Sequence, residues 1–179
     1  MRAVREGDVA QLGVLFERYH GSLFDFFCRL TGSPTVAEDL VQDVFVRMLK
    51  YRATYRDEGR FATWMFRIAR NARADHFRRR TGADEALDSA LDRATETPGP
   101  ALLLERGRDL ARLRRALTLL REDRRELILL ARYQGMSHDE IGELLGVDAG
   151  TVKVRFHRAI KDLREIFKRL EEETPDHAV

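Results

Sequence analysis

The sequence predicts an all-α protein of two small helical domains joined by a flexible acidic linker. Three observations lead there. Apolar residues recur at i, i+3, i+4 and i+7 along almost the whole chain, and no run alternates with the period of two that a half-buried strand needs. The stretch from Thr81 to Pro100 breaks that pattern and closes on Pro98-Gly99-Pro100, which no helix crosses. A length of 179 residues suits one large domain or two small ones. The expected division is a first domain over 1–80, a linker over 81–100, a second domain over 101–172 and a tail over 173–179.

Each element has its own signal. Leu12, Leu15, Phe16, Tyr19, Leu23, Phe26, Phe27 and Leu30 share one helix face, and Thr31-Gly32-Ser33-Pro34 ends it. Thr35 followed by Glu38 reads as a capping box, each side chain satisfying a free backbone amide at the start of the next helix. That helix turns Val36, Leu40, Val41, Val44, Phe45, Met48 and Leu49 inward. Tyr51 to Arg60 has no apolar period and reads as a loop. A third helix, from about Phe61 to Arg80, offers Phe61, Trp64, Ile68, Ala72 and Phe77 to the core; the spacing of Trp64 from Phe61 and Ile68 favours packing over an exposed role. The linker has room for a short helix around Leu87 and Leu91, and helical periodicity resumes from Leu102 to Leu170.

Composition narrows the function. Apolar residues make up 44% of the chain, too many for a disordered protein, and no apolar run approaches the roughly 20 residues of a membrane span. Met1 to Ala10 is polar and charged, unlike a secretory signal. One cysteine, Cys28, excludes an internal disulfide framework and a multi-cysteine zinc site; among Phe26, Phe27 and Leu30 it reads as a small buried hydrophobe. The expectation is a soluble cytoplasmic protein without membrane insertion. The last helix ends within about ten residues of Val179, so no fused regulatory domain is expected.

The 32 basic and 30 acidic residues nearly cancel, to +2, but they are unevenly placed. Arg60 to Arg80 holds seven positive residues against Asp75, and Lys153 to Arg169 holds seven against Asp162 and Glu165. Thr81 to Pro100 is acidic, as is the tail with Glu171, Glu172, Glu173 and Asp176. Two basic faces separated by an acidic spacer suggest contact with nucleic acid at two places.

The sharpest local pattern lies between Met136 and Arg164. Ser137 and Glu140 form a capping box, Gly146 supplies a left-handed helix end, and Asp148 is placed to cap the next helix. That last helix turns Val152, Phe156, Ala159, Ile160 and Leu163 inward and shows Lys153, Arg155, His157, Arg158 and Lys161 outward. Two helices on a tight glycine turn, the second basic at its N-terminal half, describe a helix-turn-helix that enters the major groove. Gly150 and Thr151 sit where free amides favour a phosphate. Lys153, Val154, His157 and Arg158 face the groove together; Arg and Lys favour guanine edges, and Val154 suits a thymine methyl.

The first domain carries two further faces. Asp39, Gln42, Asp43 and Val46 line up at i, i+3, i+4 and i+7, acidic with an apolar edge. Arg67, Arg70, Asn71, Arg78 and Arg79 point outward from the third helix. The segments Glu38-Asp39-Leu40-Val41-Gln42-Asp43-Val44-Phe45 and Phe61-Ala62-Thr63-Trp64-Met65-Phe66-Arg67-Ile68-Ala69-Arg70-Asn71 resemble region 2 of the extracytoplasmic-function (ECF) sigma factors, in the sigma-70 family of RNA polymerase sigma factors. Gly135-Met136-Ser137-His138-Asp139-Glu140-Ile141 and Gly150-Thr151-Val152-Lys153 resemble region 4. The resemblance covers nearly the whole chain in the right order.

The resemblance implies a bacterial sigma factor that binds core RNA polymerase and directs promoter recognition, −10 melting and transcription initiation, with no catalysis and no cofactor. Asp39, Gln42, Asp43 and Val46 would dock on the clamp helices of the β′ subunit. Arg60, Arg67, Arg70, Asn71, Arg78 and Arg79 would hold the −10 element, with the loop around Tyr55 to Arg60 capturing an extruded base. Gly150, Thr151, Lys153, Val154, Arg155, His157 and Arg158 would read the −35 element. Leu102 to Tyr133 would pack the motif and meet the β flap. An anti-sigma factor is a further implied partner. The linker would act as a spacer or enter a basic channel of the polymerase. Two positions depart from the family pattern: Val154 stands where a small polar residue is common, and Arg121 where a proline is usual.

Two other classes compete. A stand-alone helix-turn-helix regulator would bind an operator, and Ile160, Leu163, Ile166, Phe167 and Leu170 offer it a dimer seam. The acidic face and basic third helix of the first domain have no purpose there. A metal enzyme using Glu38, Asp39 and Asp43 lacks any phosphate loop, nucleophile pair or His/Cys ligand set.

Overall fold

The computed structural model describes residues 1–81 and 101–173. The expected linker from 82 onward, its short helix at Leu87 and Leu91, and residues 174–179 lie outside them. Among the described residues eight α-helices follow in order: α1 (Arg2–Arg5), α2 (Gln11–Thr31), α3 (Pro34–Lys50), α4 (Phe61–Thr81), α5 (Ala101–Leu119), α6 (Glu122–Ile128), α7 (His138–Leu145) and α8 (Ala149–Glu172). A 3₁₀ turn occupies Arg52–Thr54 and a π-helical turn Leu129–Tyr133. Among the described residues there is no strand.

The helix starts follow from backbone chemistry. α2 ends on Gly32, whose φ of 76° is the left-handed conformation that glycine adopts without steric cost. The cap of α3 is Ser33, not Thr35. Pro34 forces its predecessor toward extended backbone, so Ser33 takes φ −125° and ψ 116° and its hydroxyl accepts from the Val36 amide, while Pro34 fills the first helical position, where no amide is needed.

α2, α3 and α4 pack into a bundle around Leu23, Phe26, Phe27, Leu40, Val44, Met48 and Phe66. Phe26 meets Phe27 and Phe66 edge-on, at centroid distances of 5.5 and 5.1 Å. Two inward assignments fail at the edges: Phe16 lies on the rim, against Phe45, and Phe77 is exposed under the Arg73 guanidinium. Cys28 is half-buried against the core, and burial pushes its thiol pKa up.

The second helical group forms around Leu117, Leu120, Ile128 and Ala159, where α5 and α6 pack on α8. α5 covers the seam of α8: Ile160, Leu163 and Ile166 pack with Leu113 and Leu117, and Arg112 lies over the Phe167 ring. The apolar core does not stop between the groups. Leu127, Leu129, Leu130, Met136, Ile141 and Leu144 join the same buried cluster as Met65, Phe66, Ile68 and Ala69. Arg125 pins the junction, donating to the carbonyls of Leu30 at the end of α2 and of Leu120 and Thr118 at the end of α5. A cation there also complements the negative ends of both helices.

Candidate nucleic-acid interface

The helix-turn-helix is built by its caps. Ser137 accepts from the Glu140 amide at 3.2 Å and Glu140 accepts from the Ser137 amide at 2.8 Å, closing the capping box of α7. Burial alone would push the Glu140 pKa up; the Ser137 hydrogen bonds and Arg60 together hold it below the usual range. Gly146 ends α7 at φ 69°. Gly142 sets the approach of the turn, because a Cβ there would stand 2.7 Å from the Val147 carbonyl oxygen.

Asp148 caps α8, and this corrects one expectation. Its carboxylate accepts from the Thr151 amide at 2.7 Å and the Thr151 hydroxyl at 2.5 Å, and with further help from the Gly150 amide these bonds hold its pKa down. The donors of Gly150 and Thr151 are therefore spent on an internal anion, which would also repel a phosphate. Lys153, Val154, Arg155, His157 and Arg158 stand exposed on α8 beyond the cap, with Val154 51% accessible. None of the four polar ones makes an ion pair among the described residues.

The basic side of α4 is arranged differently. Arg60, just before α4, pairs with Glu140 at 3.2 Å; Arg67 pairs with Glu143 at 3.0 Å; Arg70 pairs with Glu126 at 2.8 Å and donates to the Leu144 carbonyl at 3.3 Å. Arg73 pairs with Glu122, and burial lowers its pKa. All four glutamates belong to α6 or α7. Asn71 and Arg79 are exposed, and Arg78 is held by Asp75 at 2.7 Å.

Tyr55 is not open to a base. It is 6% accessible, with its ring edge-on to Trp64 at 5.3 Å, and Phe61 completes the aromatic cluster. The loop without apolar period folds inward here because these three rings exclude water together.

On α3, Asp39 and Gln42 are exposed and Val46 is 65% accessible. Asp43 is half-buried because Arg47 holds it at 2.9 Å. The same guanidinium reaches Asp75 of α4 at 2.7 Å. The hydrogen bond that Arg47 donates to Asp43 raises the Arg47 pKa, and the one it donates to Asp75 lowers the Asp75 pKa. Beside this chain a cleft of about 350 Å³ opens between α3 and α4, lined by Tyr51, Asn71, Asp75 and Arg78 among others.

Sequence reasoning did not single out Arg47, Gly142, Arg73 or Glu126. Arg73 was visible only as one charge in a run, and Glu126 had no signal, since its burial depends on α4 meeting α6. Among the described residues no group of three or more His, Cys, Asp or Glu stands ready to hold a metal ion. Nor is any described helix long and apolar enough to cross a membrane.

Comparisons with known proteins match this layout. The family model for Sigma-70 region 2 matches residues 15–82, and that for Sigma-70, region 4 matches residues 110–163. The RNA polymerase sigma factor CarQ of Myxococcus xanthus is 34% identical over 172 residues, covering 96% of this chain and 97% of the relative. The ECF RNA polymerase sigma factor SigF of Caulobacter vibrioides is 34% identical over 169 residues, 93% of this chain and 87% of the relative. Among solved structures, the sigma factor RpoE in complex with the anti-sigma factor NepR from Bartonella quintana superposes with a TM-score of 0.72 at 26% identity, over 87% of this chain and 96% of that one. CnrH in complex with the cytosolic domain of CnrY gives 0.69 at 26% identity, over 94% of each chain. With two region models matched in order and relatives aligned nearly end to end, the chain belongs to the extracytoplasmic-function subfamily of the sigma-70 RNA polymerase sigma factors.

Proposed function

We propose a division of labour in which each helical face of this sigma factor has one macromolecular partner. The exposed α3 face, Asp39, Gln42 and Val46 with Asp43 at its edge, docks on the β′ clamp helices of core RNA polymerase. The α4 face, Arg60, Arg67, Arg70, Asn71, Arg78 and Arg79, holds the −10 element, and an extruded base finds room in the cleft beside Tyr51, Asn71 and Arg78. Lys153, Val154, Arg155, His157 and Arg158 read the −35 duplex, while α5 and α6 meet the β flap. Segments 1–80 and 101–172 act as the two readers, with 81–100 between them. The protein acts in the bacterial cytoplasm, performs no chemistry of its own, and takes an anti-sigma partner, as the Bartonella quintana relative RpoE does.

The observation that carries the −35 assignment is the α8 face: exposed, cationic and unpaired, immediately after a capped helix-turn-helix. Major-groove reading requires such a combination. The stand-alone regulator fares worse, because the seam a repressor dimer would use is covered by α5 within the chain. Selection of promoter DNA from a random library by holoenzyme reconstituted from core polymerase and this protein tests the reading. Two enriched elements at a fixed spacing are expected, the upstream one relaxed by Arg158→Ala. Enrichment of a single palindromic site by the free protein, with none by the holoenzyme, would overturn it.

A further inference from the structure

α1 has no part in any face assigned above, and it lies ahead of residues 15–82, the span that matches region 2. It is four residues long, too short to hold a helix by itself, yet Val4 is completely buried. α1 packs against α2 and the 3₁₀ turn Arg52–Thr54, at the start of the connection between α3 and α4. Two of its arginines grip that connection. Arg5 donates to the Tyr55 carbonyl at 3.1 Å, and Arg2 pairs with Asp57. The Tyr55 hydroxyl donates to Asp57 at 3.4 Å, so both grips act on one unit.

Hydrogen bonds carry this hold back along the turn. The Tyr55 amide donates to the Arg52 carbonyl at 3.2 Å, and the Thr54 amide and hydroxyl donate to the Tyr51 carbonyl at 2.9 and 2.8 Å. Tyr51 in turn lines the cleft between α3 and α4. Beyond the 3₁₀ turn the connection has no helix or strand of its own. Such a segment stays in one conformation only where something outside it supplies anchors.

We propose that α1 is a clamp that fixes the α3–α4 connection for −10 recognition, with Arg2, Val4 and Arg5 as positioning residues that touch no DNA. The inference rests on the assignment of that connection and the adjoining cleft to an extruded −10 base. A loop that must first be ordered pays the ordering entropy when the base binds, and a loop fixed in advance does not. Losing the clamp therefore weakens base capture and strand opening. It leaves α8 and the exposed face of α3, which carry the other two assignments, unchanged. The sign of the Asp57 effect separates a clamp from a direct charge contact. A carboxylate near a phosphate backbone repels it, so on charge alone removing Asp57 helps DNA binding, whereas on the clamp it harms strand opening.

The test uses the full-length protein with Arg2→Ala/Arg5→Ala, with Arg2→Lys/Arg5→Lys, which keeps both charges and donors, and with Asp57→Ala. Arg2 and Asp57 are 65% and 47% exposed at their side chains, so the fold survives their loss. Amide hydrogen exchange over residues 51–60 reads the clamp in the free protein. Permanganate reactivity of −10 thymines, with holoenzyme on the selected promoter, reads strand opening, and competition binding reads affinity for core polymerase. The alanine pair should speed exchange about tenfold and lower opening about fivefold, with core binding unchanged. The lysine pair should recover most of both. Asp57→Ala should also lower opening, and Arg2→Ala should add no further loss in that background, because the two side chains act as one pair. Unchanged exchange or unchanged opening in the alanine pair would overturn the proposal. So would an equal loss of core binding, or a loss from Arg2→Ala that persists without Asp57. If the unmodified holoenzyme opens no promoter, the −10 reading itself fails and the proposal falls with it; intact opening with unmoved exchange removes the clamp alone.

Discussion

Arg125 and Asp148 show how much of this molecule rests on single side chains that satisfy helix ends. Arg125 satisfies carbonyls at the ends of two helices from opposite halves of the sequence. Replacing it with Met leaves those acceptors unpaired and should cost about 3 kcal/mol in urea unfolding. Asp148, Glu140 and Asp75 are carboxylates held below their usual pKa range by hydrogen bonds or arginine neighbours. A depressed carboxylate stabilises the fold above its unfolded pKa and loses that contribution as pH falls through the folded value. Thermal stability should therefore be flat between pH 7 and about 5 and decline below about 4. Asp148→Asn, which still caps but does not titrate, should flatten part of that decline. If the exposed α8 face reads the −35 duplex as proposed, Arg158→Ala should cost about 1–3 kcal/mol at one base and relax selectivity there. Asp39→Ala should weaken binding to core polymerase and leave promoter-duplex binding by the free full-length protein intact, as competition binding would show.

At the scale of elements, the helix-turn-helix was the most legible part of the sequence. Ser137, Glu140, Gly146 and Asp148 each act locally, through hydrogen bonds within four residues or a backbone conformation open to glycine, so their meaning needs no knowledge of the fold. Ser137→Ala should accordingly cost about 1 kcal/mol. Gly142 was illegible for the opposite reason. It has no unusual backbone angle, and its constraint is the Val147 carbonyl arriving from the turn; Gly142→Ala should cost about 1–3 kcal/mol by overpacking, visible as a lower urea midpoint. The α3 cap was misplaced by two residues because Thr35 and Glu38 fit the sequence pattern, while Pro34 had already fixed the extended backbone at Ser33. α4 was read as one-sided, yet Met65, Phe66 and Ala69 are buried as well as Ile68 and Ala72. A second face buried by α7 cannot be seen in the periodicity of α4 alone.

For the whole molecule, the net charge of +2 hides a pattern that only tertiary structure explains. The basic run at α4 reads as one cationic surface in sequence, but glutamates some 50 to 80 positions away pair with Arg60, Arg67, Arg70 and Arg73. On α8, Lys153, Arg155 and Arg158 keep their charge exposed and without an ion pair among the described residues. Near-neutrality thereby acquires a local basis, since part of the basic surface is paired within the chain, and fewer free cations mean weaker non-specific, salt-dependent binding to a polyanion. The fold class and the positions of the two basic helices followed from periodicity and charge, whereas the packing of one half on the other depends on pairings that no local window contains. The central claim is that this chain confers promoter-specific initiation on core polymerase, and run-off transcription from a linear template carrying the selected promoter tests it most directly. Transcripts of the templated length should appear only when the protein is added, and should fall with Asp39→Ala and with Arg158→Ala. Tight binding of the free protein to that promoter, with no transcript from core polymerase, would contradict it.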